Sequence, residues 1–281
     1  MLTTKTKVAL AGAAYRFISF SRAVVGKGDR LEVERHGLRW ALDLREGIDF
    51  SIYLLGAFEP GTQATLKKLV KPGDTVFDIG ANIGAHTMGI AQSVGPQGRV
   101  FAFEPADFAF EKLRRNLALN PALAAHTFPQ QTLLASSSSG RSEPQIYASW
   151  PLKNSGTVHP KHRGQLVSTA RANVDTLDSF VARNKIPHLD LIKLDVDGHE
   201  LPVLQGASET LRRFRPILVM EMSPYIHAEH GNSFAEFVAL LKSLSYSLCD
   251  ADTGAAVPLD VAQLERLIPD GSSINVVARR T

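Results

Sequence analysis

A chain of 281 residues is long enough to bury a substantial core. Its 31 basic and 28 acidic residues leave a net charge of only +3, and the Lys and Arg are scattered rather than striped with aromatics, so no nucleic-acid partner is indicated. The single cysteine, Cys249, excludes a disulfide framework and a thiolate metal cluster and suits a reducing cytoplasm; at 44% hydrophobic and 21% charged, the composition is that of a soluble globular protein.

Residues 5–25 come first. Lys5 and Lys7 precede the apolar run from Val8 to Ala14, which Arg16 and Arg22 interrupt before it can span a bilayer. Tyr15, Phe17, Ile18, Phe20 and Val24, set among Arg16, Arg22 and Lys27, suit a basic amphipathic helix in peripheral contact with a membrane, and equally a packed or frayed terminal helix. From Leu31 to Leu44 apolar and polar residues alternate about His36-Gly37, a β-hairpin in which Trp40 reads as core. Ile48 to Phe58 leads to Glu59-Pro60. Thr62 to Val70 has helical spacing closed by the breaker Lys71-Pro72-Gly73-Asp74. Residues 1–60 thus read as an N-terminal helix and cap, and 61–281 as the main domain.

Residues 76 to 87, Val-Phe-Asp-Ile-Gly-Ala-Asn-Ile-Gly-Ala-His-Thr, form an apolar strand that ends in an acid and enters a Gly-rich turn. Asp78 just before the turn at Gly80 and Gly84 places a carboxylate where a diphosphate would be repelled. A dinucleotide fingerprint wants glycine where Asn82 stands, because backbone N–H groups must approach the pyrophosphate. S-adenosylmethionine has no phosphate, and its amine and sulfonium are cationic, so it is the cofactor this turn suits. His86 fits either the site or packing. The next strand, Arg99 to Phe103, leads to Glu104, twenty residues beyond Gly84, where doubly wound folds place an acid on the ribose hydroxyls.

Further strands are expected at 127–135, 189–194, 217–222, 246–250 and 274–278, and helices at 83–93, 107–119, 201–214 and 233–244. The alternation implies an α/β, doubly wound, mostly parallel seven-stranded sheet with one antiparallel edge strand. Between Ser136 and Thr176 the pattern lapses into Ser, Gly, Pro and His, an insertion read as an acceptor-binding loop; Trp150 and the cluster His159-Pro-Lys-His-Arg163 fall within it.

Leu189-Asp-Leu-Ile-Lys-Leu-Asp-Val-Asp-Gly-His-Glu200 is the second informative stretch. Its strand ends in Asp195, Asp197, His199 and Glu200, which in an open parallel sheet face the ligand crevice. Transfer of a methyl group to an alcohol needs alignment and a base; Asp195 and His199 are both candidates. Glu200 suits the positive end of the following helix as well as a site role. Lys193, alternating with apolar neighbours, is either a buried charge paired with an acid such as Glu221 or an edge residue. Asp195, Asp197 and Glu221 have the carboxylates magnesium prefers, yet a metal is not favoured.

These segments together resemble the FkbM-type S-adenosylmethionine-dependent methyltransferases. The resemblance rests on Val76 to Gly84, Phe101 to Pro105, Val174-Asp-Thr-Leu-Asp178, Ile192 to Leu201, Val203-Leu-Gln-Gly206 and Ile274-Asn-Val-Val277. It implies a Rossmann-like methyltransferase acting on a hydroxyl of a sugar, polyketide or lipid-linked acceptor, hence a small-molecule or glycan partner. The resemblance carries Asp78, Gly80, Asn82, Gly84 and Glu104 over as cofactor-binding residues, and Ala81, Thr87 and Pro105 complete the expected cofactor-binding set. The catalytic candidates are Asp195, His199 and Lys193, with no metal ligand assigned. Asp197 departs from the family, which commonly has glutamate there. A nicotinamide-dependent oxidoreductase and a non-catalytic binding module of the same fold are the alternatives.

Overall fold

The computed structural model describes residues 4–138, 146–148, 152, 165–229 and 231–280. Trp150, the cluster from His159 to Arg163 and much of the expected acceptor loop lie outside the described residues. Helix α1 (Thr4–Val24) precedes the hairpin β1 (Arg30–Arg35) and β2 (Leu38–Asp43), then α2 (Gly47–Leu55) and α3 (Pro60–Leu69). The central elements are β3 (Thr75–Ile79), α4 (Thr87–Val94), β4 (Arg99–Phe103), α5 (Asp107–Ala118), α6 (Pro121–Ala124) and β5 (Thr127–Gln130). Short strands β6 (Thr132–Leu134), β7 (Ile146–Ala148), β8 (Gln165–Val167) and β9 (Asn173–Asp175) lead to α7 (Leu177–Arg183) and β10 (Leu191–Leu194). The chain closes with α8 (Glu200–Gln205), α9 (Ser208–Phe214), β11 (Ile217–Met222), α10 (Pro224–Glu229), α11 (Phe234–Ser243), β12 (Tyr246–Asp250), β13 (Ala256–Val257), α12 (Val261–Leu267) and β14 (Ile274–Arg280).

The main sheet runs β13-β12-β14-β11-β10-β3-β4-β5. Strands β5, β4, β3, β10 and β11 are parallel, and every residue of β3 and β10 is buried, as expected of central strands covered on both faces. The class is the one expected, but the strands number eight. Two strands run against the rest: β14 lies inside the sheet between β11 and β12, and the two-residue β13 forms the edge beyond β12. After β12 the chain turns at once into β13, with Asp250 accepting from the Thr253 N–H and hydroxyl, and α12 then returns it to the gap beside β11.

Three boundaries differ from the sequence reading for local reasons. Helix α4 starts at Thr87 rather than Ile83, because Asn82 and Gly84 take positive φ (49° and 90°) and the Asn82 N–H is drawn to Glu104. The strand expected over 127–135 breaks at Gln131: β5 carries Pro129 on the sheet edge, and β6 leaves to pair with β9. The helix expected over 201–214 breaks into α8 and α9 at Gly206, which packs so tightly that a Cβ there would meet the Ala135 carbonyl oxygen at 2.1 Å.

The cap is fastened to the sheet layer rather than tethered beside it. Trp40, Leu42, Ile48 and Ile52 share an apolar cluster with Ile83, Met88 and Leu113. The Asn116 amide bridges cap and site loop, accepting from the Ala41 N–H (2.9 Å) and donating to the Ile83 carbonyl (2.9 Å). Buried Asp49 on α2 pairs with Lys112 on α5 and accepts from the Asp43 N–H.

Candidate active site

Strands β3 and β10 are neighbours in space although β4 to β9 intervene in sequence, so the crevice at their carboxyl ends is a topological switch point, where α/β sheets bind ligands. Lys193 lies under it. Opposite Asp78 in the parallel register and 3% exposed, it donates to the Gly80 carbonyl (3.0 Å) and lies 3.5 Å from Asp78 Oδ1 and 3.3 Å from Asp195 Oδ2. Burial would depress its pKa, but the two carboxylates outweigh burial and hold it above the ordinary lysine value. Its partners are thus Asp78 and Asp195 rather than Glu221, whose carboxylate accepts from Ser273.

The turn after β3 is held from two sides. The Gly80 and Ala81 N–H groups donate to the Phe103 carbonyl (3.0 and 2.9 Å), and the Asn82 N–H donates to Glu104 Oε2 (2.8 Å). Glu104 Oε1 accepts from the Ala106 N–H (2.8 Å), so both carboxylate oxygens are oriented by backbone at the rim of the cavity. At 5% exposure, burial pushes its pKa up to about 7 against those two N–H groups, which favour the ionised form.

Beyond β10, Asp197 and Gly198 both take positive φ (48° and 91°) and fold the chain into a tight turn. Glu200, the first residue of α8, reaches back into it: Oε1 accepts from Val196 N–H (3.2 Å) and Gly198 N–H (3.3 Å), while Oε2 lies 3.4 Å from buried His227 Nε2. Glu200 is 3% exposed, and burial pushes its pKa up to about 7, opposed by these N–H groups. Its side chain therefore shapes the Asp195 to His199 turn from behind.

One cavity is lined by Gly80, Ala81, Asn82, Glu104, Pro105, Lys193, Asp195 and His199 of the expected set. Asp78, Gly84 and Thr87 stand outside that lining. Asp78 is fully buried beneath the turn and accepts from Thr87 Oγ1 (2.6 Å), so it braces the floor and start of α4 instead of facing the cavity. Asp195, Asp197 and Glu221 bring carboxylate oxygens within 4.8 Å of one another, an arrangement suited to a cation, whether ammonium or metal.

Sequence reasoning missed the cap's share of the wall. Phe58, Glu59, Ile48 and Asp49 line the cavity, as does Lys112 of α5. Glu59, in a left-handed conformation before Pro60, accepts from Thr62 Oγ1 (3.1 Å) and lies 3.7 Å from His86 Nε2. Burial would raise its pKa, but His86 and Lys193 outweigh that and lower it. His86 also lines the cavity, its ring 5.9 Å from that of Phe58. Only the unusual Glu-Pro helix start hints at this in the sequence.

A switch-point cavity, a Gly turn and acids at the tips of adjacent strands define a doubly wound α/β fold of the methyltransferase type. The chain belongs to the FkbM methyltransferase family, whose domain model matches residues 78–248, more than half of it. Among curated relatives, the hexuronic acid methyltransferase AglP of Haloferax volcanii is 29% identical over 57% of this chain and 62% of its own length. Methyltransferase sdnD of Sordaria araneosa is 33% identical over 48% of this chain and 60% of its own. These two matches thus span less than two thirds of the relatives' length. The 31-O-demethyl-FK506 methyltransferase FkbM of Streptomyces tacrolimicus is 26% identical over 75% of this chain and 83% of its own. A solved SAM-dependent O-methyltransferase from Thermotoga maritima superimposes with a TM-score of 0.46 at 13% identity, covering 92% of this chain and 81% of that one.

Proposed function

We propose that the protein transfers a methyl group from S-adenosylmethionine to a hydroxyl on a sugar, polyketide or lipid-linked acceptor. The observation that carries the reading is the acidic lining of the cavity: Glu59, Glu104, Asp195, Asp197 and Glu221 face it, and Lys193 is already engaged by Asp78 and Asp195. Such a wall attracts a cationic donor and repels a diphosphate. Glu104, with both oxygens fixed by backbone N–H groups, is oriented to accept from two ribose hydroxyls, and Gly80 to Asn82 supply the close-approach turn. Bound there, the donor would supply an electrophilic methyl group on a sulfonium.

The chain's own residues would do the rest. Lys193 holds the Asp195 carboxylate at the strand tip, and Glu200 holds the turn that carries Asp195 and His199. Either Asp195 or His199 would take the acceptor's proton as the new C–O bond forms. A relative named for 31-O-demethyl-FK506 favours an oxygen acceptor, and one named for a hexuronic acid favours a sugar. Incubation with methyl-labelled S-adenosylmethionine and a panel of uronosyl glycans and polyketide alcohols, followed by mass spectrometry, tests the reading. Label on an acceptor oxygen supports it; label found only on nitrogen or carbon acceptors refutes the O-specific form.

A further inference from the structure

Helix α1 has two apolar faces, and among the described residues only one is packed. Tyr15, 6% exposed, meets Phe50 edge-on at 6.0 Å and packs with Leu44, while Ala11, Ala14 and Ile18 lie against the same cluster. The Tyr15 and Ser19 hydroxyls both donate to Asp29 (2.9 and 2.8 Å), which fixes the helix's rotation on the cap. That rotation turns a second stripe outward. Ala13, Phe17, Phe20 and Val24 recur at the spacing of one helical face; Phe17 is 73% exposed, Phe20 70% and Val24 70%, and Val25 at 65% continues beyond the helix end.

The charges of this segment of the sequence have one sign. From Thr4 to Gly28 the sequence holds Lys5, Lys7, Arg16, Arg22 and Lys27 and no acid. We propose that the outer face of α1 docks on an anionic lipid surface, with Phe17, Phe20 and Val24 entering the acyl boundary and Arg16 and Lys27 meeting the headgroups. A second copy is disfavoured, because two such faces would bring like charges together. No described helix is long and apolar enough to cross a membrane, so the contact is in the plane of the interface. Helix α1 packs on α2, whose Ile48 and Asp49 line the cavity, so docking holds the cavity one helix layer from the lipid.

Co-sedimentation of the full chain with vesicles of phosphatidylcholine alone, or mixed with phosphatidylglycerol, tests this. Wild type should pellet with the anionic vesicles, far less with the neutral ones, and be released by salt. Phe17→Ser with Phe20→Ser should lower the partition coefficient at least about tenfold, and Arg16→Glu with Lys27→Glu should abolish the anionic preference. All four positions are exposed, and calorimetric donor binding unchanged in both variants would show that they fold. No pelleting with anionic vesicles, equal pelleting by the phenylalanine double variant, or a wild-type dimer that this variant converts to monomer would overturn the proposal.

Discussion

Gly80 and Asp195 meet backbone to backbone across the seam between β3 and β10: a Cβ on residue 80 would lie 1.8 Å from the Asp195 carbonyl oxygen. At φ +79° the position also strains any L side chain. This contact sets the turn after β3 and the turn after β10 at a fixed distance. Gly80→Ala must push them apart, so donor affinity should fall by more than about a hundredfold as the positioning is lost. Calorimetry with S-adenosylhomocysteine checks it, and near-wild-type affinity would show that the contact is dispensable.

Glu104 is expected to carry the ribose. Loss of its charge-assisted hydrogen bonds, each worth about 1.5 to 3 kcal/mol, should weaken donor binding at least about tenfold in Glu104→Ala. Glu104→Gln should fall between variant and wild type in the same titration, since one oxygen remains.

The same residue makes stability depend on pH. Unfolded, Glu104 ionises near its ordinary 4.5; folded, burial holds it at about 7. Between those values unfolding releases a proton, so the contribution of Glu104 to stability is greatest below about pH 4.5 and falls as pH rises to about 7, by up to about 3 kcal/mol. A cationic donor favours the ionised form, so its affinity should rise over the upper part of that window. The difference between wild-type and Glu104→Gln melting curves across this range isolates the effect; a flat difference contradicts it.

Glu200 acts on the site through the turn it holds, and His227 packs behind it. Glu200→Ala should lower kcat about ten- to a hundredfold through misplacement of Asp195 and His199, with donor Kd nearly unchanged. Glu200→Gln retains an acceptor for the Val196 and Gly198 N–H groups and should recover much of the loss. Equal losses in kcat and donor affinity would mark it as a general stability residue instead.

Asp195→Asn and His199→Ala separate the two candidate bases. The true base should cost about 10² to 10⁴ in kcat, and the other residue distinctly less, as read from initial rates with an identified acceptor.

Much of the central frame was legible because its signals are local. Val76 to Ile79, Arg99 to Phe103 and Ile217 to Met222 are short apolar runs bounded by turn residues, and they fall where expected. What escaped depends on contacts distant in sequence. The break at Gly206 comes from the Ala135 carbonyl, and the place of β14 inside the sheet from its pairing with both β11 and β12. Asp78 reads as a ligand-facing acid in one dimension, yet the strand's alternation turns it down toward Lys193 and Thr87. Phe58, Glu59 and Asp49 reach the cavity only because α2 and the hairpin fold over the Gly turn.

Isothermal titration with S-adenosylmethionine and with NADH, on wild type and Glu104→Gln, bears most directly on whether the acidic strand tips choose a cationic donor. Micromolar binding of S-adenosylmethionine, weakened in the variant, with no measurable heat from NADH is the predicted result. Binding of NADH at comparable affinity, or S-adenosylmethionine affinity indifferent to the loss of the Glu104 charge, would contradict the account.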